Sequence, residues 1–421
     1  MLINTECVEF DAKTADKGAC TFSDSGDNCP KPMASEPNNR SIKLLLHFVF
    51  LLSGTTTILI GQVLPMITKR FSLNDLEGGN FFPAQFSGSI LGTFLTDWFG
   101  RKHKYRVAIV LGCISMAGGV LLMNSGLVYL CMFGFFVNGL GVGLTLPSVN
   151  MLILEMNPLR GAPALNILNF CWGIGAILCK PFVDFFSSGT SIVYATVLLA
   201  GPLLVCSAAL GFWGKGIETP AADRSDQASP VSQIAIWTTV LAWILALFNF
   251  IHVGFESGIG GWLTTYSERI DYAASIRVLS PTFIFYVLFV AGRGIAPVFF
   301  KFLSENVSML ISLVIILAGM AVTLVADSAL TLSLGAALSG FGTSSVFPTS
   351  LARFRRIFGE SATRRAMPLF IAGTSGSIAI TWLIGFFSNR VGDLRSGMYV
   401  LFVGIVALVL LQIVIMVRTG R

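Results

Sequence analysis

Glu256 is the one carboxylate that falls inside a long apolar stretch of this chain, away from the charged ends of such stretches. Burying an ionised carboxyl without a partner is costly, and an acid retained at such a place marks a functional position by default. His252 lies four residues earlier on the same helical face and is placed to share a proton with it. The spacing points to a proton-coupling pair, or to a carboxylate that accepts hydroxyl hydrogen bonds. The plainer alternative is a hydrated acid near the outer interface, because the stretch starts around residue 235. Asn166, Asn169 and Trp172 fall at i, i+3 and i+6 and form one stripe. An amide offers donors and an acceptor, and an indole stacks on the apolar face of a sugar ring. Helix-to-helix glue, worth about 1 kcal/mol in a membrane, is the competing role. We assign it to Asn166 and keep Asn169 and Trp172 as binding candidates.

Gln85 and Asn249 join them as neutral amides suited to reading a neutral polyol. Asn138, Thr145, Asn150, Tyr286, Thr374, Ser375 and Trp382 sit at similar depth, and most of them read as packing. Lys180 and Asp184 form an i, i+4 couple near the outer end of a stretch, where the lysine can snorkel to the surface. Three histidines, with no H-E-x-x-H, nucleophile elbow or nucleotide loop, argue against an enzyme, a resident metal or a cofactor.

The elements that must position these residues are membrane helices. The 421 residues are 54% hydrophobic and 12% charged, with a mean hydropathy of +0.77, more apolar surface than a soluble core of this size can hide. Runs long enough to cross about 30 Å of hydrocarbon are predicted at 43–66, 79–97, 105–123, 128–154, 163–187, 191–213, 235–260, 279–300, 307–325, 329–351, 366–387 and 397–417. Thirteen Lys and Arg, Arg101, Lys102, Lys104 and Arg106 among them, fall on the side of the termini against six on the other. The positive-inside rule puts both termini in the cytoplasm. The net charge of +6 follows from that bias, so no nucleic-acid partner is read from it. Five of the eight cysteines lie inside predicted spans, and Cys7, Cys20 and Cys29 lie in the cytoplasmic tail. No disulfide framework emerges.

The chain reads as a duplication. Gly139-Leu140-Gly141 through Pro147-Ser148 and Gly340-Phe341-Gly342 through Pro348-Thr349 share the pattern G-x-G-x5-P-[ST], and Gly54, Gly61 and Gly92 answer to Gly254, Gly261 and Gly292. Two similar bundles facing one another enclose a path across a bilayer. The glycines allow close helix approach, and Pro147 and Pro348 weaken the hydrogen-bond ladder at matched depths. The expected organisation is a polar, disordered cytoplasmic tail at 1–42, a six-helix bundle at 43–213, a cytoplasmic linker at 214–234 and a second bundle at 235–421. Met33 opens a more usual start for an inner-membrane protein, which makes residues 1–32 a candidate extension.

Leu95-Thr96-Asp97-Trp98-Phe99-Gly100-Arg101-Lys102 resembles the G-x-L-A-D-R-x-G-R-K signature loop of the major facilitator superfamily, with Thr93, Thr96 and Trp98 departing from it. Three further stretches are similar to the fucose permease-like sugar transporters. These are Gly61-Gln62-Val63-Leu64-Pro65 onward to Gly92, Leu165-Asn166 through Asn169, Trp172, Gly173 and Gly175-Ala176, and Val253-Gly254-Phe255-Glu256 to Trp262-Leu263-Thr264-Thr265-Tyr266. The resemblance implies an all-α membrane protein with twelve helices in two pseudo-symmetric six-helix bundles. It also implies that spans 1 and 7 face each other across a central cavity, which brings in Thr56, Gln62 and Trp262. Asp97, Arg101, Glu155 and Arg160 then become a cytoplasmic gate, made in one state and broken in the other. One departure bears on coupling: Leu144 occupies the span 4 position where proton-coupled relatives carry an acid, and span 1 holds no Asp or Glu.

The resulting expectation is an alternating-access transporter for a small polar solute, a neutral sugar first among them. The solute sits among Gln85, Asn169, Trp172, Asn249, Glu256 and Trp262, with a co-transported proton on Glu256 and His252. An exporter of amphipathic drugs or lipids, which 35 phenylalanines could accommodate, is the alternative, followed by a nontransporting sensor. The partners are the solute and the lipid bilayer of the inner membrane. Oligomeric state is left open, with a monomer compatible.

Overall fold

A computed structural model describes residues 37–157, 161–213, 236–271, 280–299, 302–359 and 367–419. Lipid offers the backbone no hydrogen bonds, so each apolar run closes its own as a helix. The first six are α1 (Pro37–Phe71), α2 (Phe81–Gly100), α3 (Tyr105–Leu122), α4 (Val128–Glu155), α5 (Gly161–Phe186) and α6 (Val193–Trp213). The second six are α7 (Val240–Ile270), α8 (Pro281–Phe299), α9 (Glu305–Val325), α10 (Ala329–Thr343 continued by Val346–Phe358), α11 (Met367–Val391) and α12 (Leu394–Thr419). A one-turn helix, Asp75–Gly79, joins α1 to α2 and is started by a capping box between Asn74 and Glu77. Residues 37–42, expected in the polar tail, are helical; the rest of that tail and the expected linker lie outside the described residues.

The main pairings in the first half have counterparts six helices on. The contacts α1–α5, α2–α4, α3–α4 and α3–α6 recur as α7–α11, α8–α10, α9–α10 and α9–α12. The repeated glycines explain two of these. A Cβ on Gly139 would run into the backbone of Gln85 in α2, and one on Gly340 into that of Phe285 in α8. The repeated prolines act alike but not identically. Pro147 deprives the Gly143 carbonyl of its helical donor, and Thr96 of α2 donates to it at 3.1 Å while α4 stays continuous. Pro348 does the same to Ser344, where α10 breaks, and the replacement donor is Arg293 of α8.

Between the halves, α1 meets α7, α2 meets α11, and α5 meets α8. We call the end of the bundle that carries the chain termini the terminal face and the opposite end the distal face. At the distal side α1 and α7 touch backbone to backbone, Gly61 lying on Gly260 and Gly261. The Gln62 Oε1 accepts the Thr264 hydroxyl at 2.8 Å, Phe82 packs on Trp262 with ring centroids 5.7 Å apart, and Trp382 donates to Asn80 at 3.1 Å. Asp75 accepts from Arg269 at 2.9 Å and from Ser388.

Candidate functional site

The site is built where α5, α7 and α8 converge. α7 runs on to Ile270, ten residues beyond the predicted end of its span, so Glu256 stands about 24 Å from the helix start and about 21 Å from its end. It is a mid-depth acid, not an interfacial one. The neighbouring α8 is set in register by Gly260, which lies against the Tyr286 hydroxyl. From that level Glu256 is about 6 Å and Arg293 about 10 Å toward the terminal face, at 1.5 Å per residue. The two charges accordingly sit at similar depth on adjacent helices. Arg293 is the opposite charge acting on Glu256, and Tyr286 lies within electrostatic reach of the same carboxylate.

Glu256 and Arg293 are both half-buried, and among the described residues neither joins an ion pair within 4 Å. The Arg293 guanidinium is held by its Nε on the Ser344 carbonyl at 3.4 Å and lies over the Phe289 ring, 4.1 Å from the centroid. Its terminal nitrogens are left without a partner among the described residues. Charges with accessible surface at this depth face water, not hydrocarbon, because lipid exposure costs several kcal/mol. Their open side is the space between the halves.

From the first half, α5 brings Gly173 against Val290 of α8. The two helices run antiparallel, so Asn169, one turn from Gly173, comes level with Arg293, about one turn from Val290. Asn169 is exposed and, among the described residues, donates only to its own helix, to Leu165 O at 2.9 Å. Trp172 is half-buried, and its Nε1 has no partner among the described residues.

The other candidates have different surroundings. His252 does not bond to Glu256: it is fully buried, both ring nitrogens lack a partner among the described residues, and Arg293 is the charge within its electrostatic reach. Four residues advance a helix by about 400°, and that 40° offset turns His252 into the packing while Glu256 faces the open space. Asn249 is buried and ties α7 to α10, donating to Leu245 O at 3.0 Å and Ser350 Oγ at 2.9 Å. Gln85 is likewise buried, donating to Thr57 O of α1 at 3.0 Å. Trp262 is fully enclosed, donates to Thr381 O at 3.0 Å and belongs to the distal closure. Thr56 bonds back to Ser53 O at 3.1 Å.

At the terminal face Asp97 and Arg101 pair with each other at 2.8 Å, with side chains 51% and 78% exposed, and Glu155 is exposed at the end of α4. Tyr105 lies within electrostatic reach of both acids, while Arg160 is outside the described residues. The residue that sequence alone did not bring into the candidate set is Arg293, six residues from the end of α8. The i−4 relation of Ser344 to Pro348 was the signal available: it marks a carbonyl in need of a donor.

A family profile for the Major Facilitator Superfamily matches residues 46–305. The mouse sodium-dependent glucose transporter 1A is 21% identical over 391 residues, covering 84% of this chain and 91% of that protein. Among solved structures, the E. coli fucose:proton symporter FucP aligns over 90% of this chain and 99% of its own, at 18% identity and a TM-score of 0.59. The nucleoside transporter NupG aligns over 92% and 100%, at 13% identity and a TM-score of 0.73.

Proposed function

The chain belongs to the Major Facilitator Superfamily, and from that premise we propose that it carries a small, hydroxylated, sugar-sized solute across the inner membrane by alternating access. The observation that carries this reading is the pair Glu256 and Arg293, two charges without an ion-pair partner among the described residues, at mid-depth between halves that are closed over them at the distal face. On this reading Asn169 and Trp172 of the other half supply an amide and an aromatic surface suited to a polyol. The names of the glucose and fucose transporters to which the chain is similar agree with that solute class.

The bias of Lys and Arg toward the terminal face supports a cytoplasmic placement of both termini. The conformation described here is then closed to the outside and open inward, and the exposed, locally paired Asp97 and Arg101 are a gate in its released state. Glu256 is the group on which a co-transported proton rides, without help from His252.

Thermal stabilisation of the purified protein across sugars, sugar derivatives, lipids and drugs tests the reading, since a ligand at 100 times its dissociation constant adds about 2.7 kcal/mol. Stabilisation by a hydroxylated solute that is lost in Asn169→Ala supports it. Stabilisation by amphiphiles alone replaces it with the exporter reading.

A further inference from the structure

Low intramembrane charge made a neutral polyol the first expectation, and Arg293 changes that arithmetic. Its guanidinium stands at mid-depth, half-buried, with Nε anchored on the carbonyl that Pro348 has freed and its face on Phe289. A guanidinium needed only to balance Glu256 would pair with it directly, because attraction between charges in a poorly solvated site favours contact. Here the two lie within electrostatic reach but form no ion pair, and the anchor and the ring hold the arginine where it is. The nitrogens that point away from the anchor form a planar fork, whose natural complement is a carboxylate bound through two parallel hydrogen bonds. Asn169 stands level with that fork from the opposite half.

We propose that the solute is acidic: a small hydroxylated monocarboxylate of the sugar-acid type, with its carboxylate on Arg293 and its hydroxyls toward Asn169 and Glu256. This deepens the proposed function and rests on its assignment of the site. Charge balance then sets the stoichiometry. The empty site is neutral with Glu256 ionised and Arg293 protonated. A monoanion on Arg293 leaves one excess negative charge at mid-membrane, which one proton taken up by the Glu256 carboxylate removes.

The groups that surround Glu256 are His252 on its own helix, Tyr286 and Arg293 on α8, and Cys179 of α5 beyond Tyr286. The other helices packed on α7 add no ionisable side chain at this depth. α1 has none between His47 and Lys69, α10 none before Arg353, which lies beyond the Ser350–Asn249 contact toward the terminal face, α11 none before Arg390, and α12 none between Tyr399 and Arg418. Substrate and proton therefore cross together without net charge movement.

The test uses the purified full chain and matched probes that differ only at the acid: D-glucuronate against D-glucose, D-galacturonate against D-galactose, gluconate against sorbitol, and lactate against 1,2-propanediol. At least one carboxylate is expected to bind more tightly than its neutral counterpart by about tenfold or more, the range of a charge-assisted hydrogen bond lost from a buried partner. Arg293→Gln should abolish that preference and Arg293→Lys retain part of it. Uptake of the preferred acid into proteoliposomes should be insensitive to membrane potential and driven by a pH gradient.

If no carboxylate outbinds its counterpart in the wild-type protein, the proposal is overturned, whatever the variants do. Should the neutral compounds bind in that case, the proposed function stands; if only amphiphiles stabilise the protein, both fall. A preference that survives Arg293→Gln also overturns the assignment.

Discussion

The Ser344 carbonyl, left without a helical donor by Pro348, accepts the Nε of Arg293 at 3.4 Å. In the other half, Gly143 and Pro147 repeat the arrangement with Thr96 as donor at 3.1 Å. A backbone defect thus serves opposite ends in the two halves. In α4 it receives a neutral hydroxyl and the helix stays whole. In α10 it fixes a charged side chain at mid-depth.

Pro348→Ala restores a donor to that carbonyl and relieves a proline that costs about 3 kcal/mol inside a helix. The expected outcome is a higher melting temperature together with a transport rate several-fold lower, because Arg293 loses its anchor. Melting curves and uptake on one preparation check both halves of the statement, and a faster, more stable variant would contradict it.

Glu256→Gln keeps the shape of the site and fixes it in the uncharged form. Solute exchange across proteoliposomes should persist, while accumulation driven by a pH gradient disappears and binding loses its dependence on pH. Exchange and gradient-driven uptake, measured side by side, separate this outcome from simple misfolding. A variant that still concentrates solute would rule out the acid as the proton carrier.

The Asp75–Arg269 contact joins the halves across the distal face, with side chains 14% and 45% exposed. A pair so open to water is worth about 1 kcal/mol or less, so Arg269→Ala should raise the outward-open population by up to about fivefold. Labelling of a cysteine placed at the distal mouth reads that shift. Exchanging the two residues as Asp75→Arg with Arg269→Asp should reverse it.

Arg353 is 1% exposed and satisfied on three sides, by Glu305 at 3.0 Å, Gln412 at 2.8 Å and Asn306 at 2.9 Å. It ties the ends of α9, α10 and α12 together. Removing one partner from a buried charged set costs about 3–5 kcal/mol, so Arg353→Ala should lower the melting temperature sharply while ligand affinity in the surviving protein is unchanged. Equal losses in Arg353→Ala and Arg356→Ala would argue against this, since Arg356 is an exposed second partner of Glu305 at 2.9 Å.

The spans and the duplication were legible because lipid enforces one solution on an apolar run and the repeat keeps its Gly and Pro in place. Glu256 was legible for a related reason, the cost of its charge. Its depth was not, since α7 continues through Trp262, Thr264, Thr265 and Tyr266, polar-tipped residues that are buried against α1, α9 and α11. Asn249 and Gln85 have the chemistry of binding residues, and only tertiary structure reveals that they are buried with their amide nitrogens engaged, while their side-chain oxygens have no partner among the described residues. His252 failed by rotation: sequence spacing gives a shared face to within tens of degrees, and a proton transfer needs better. Arg293 lay in plain sight, but its meaning depended on a carbonyl of another helix, 51 residues away.

The distal seal at Gly61 is main chain on main chain, whereas the Asp75 contact beside it is charge on charge. These respond differently to the medium. Ions screen the second, as the Debye length falls from about 30 Å at 0.01 M salt to about 8 Å at 0.15 M, and leave the first untouched. The time this molecule spends shut at its distal face is therefore partly set by salinity, within limits fixed by the worth of one exposed ion pair, while the remainder is written into the close approach of two glycine-bearing helices and is indifferent to the ions around it.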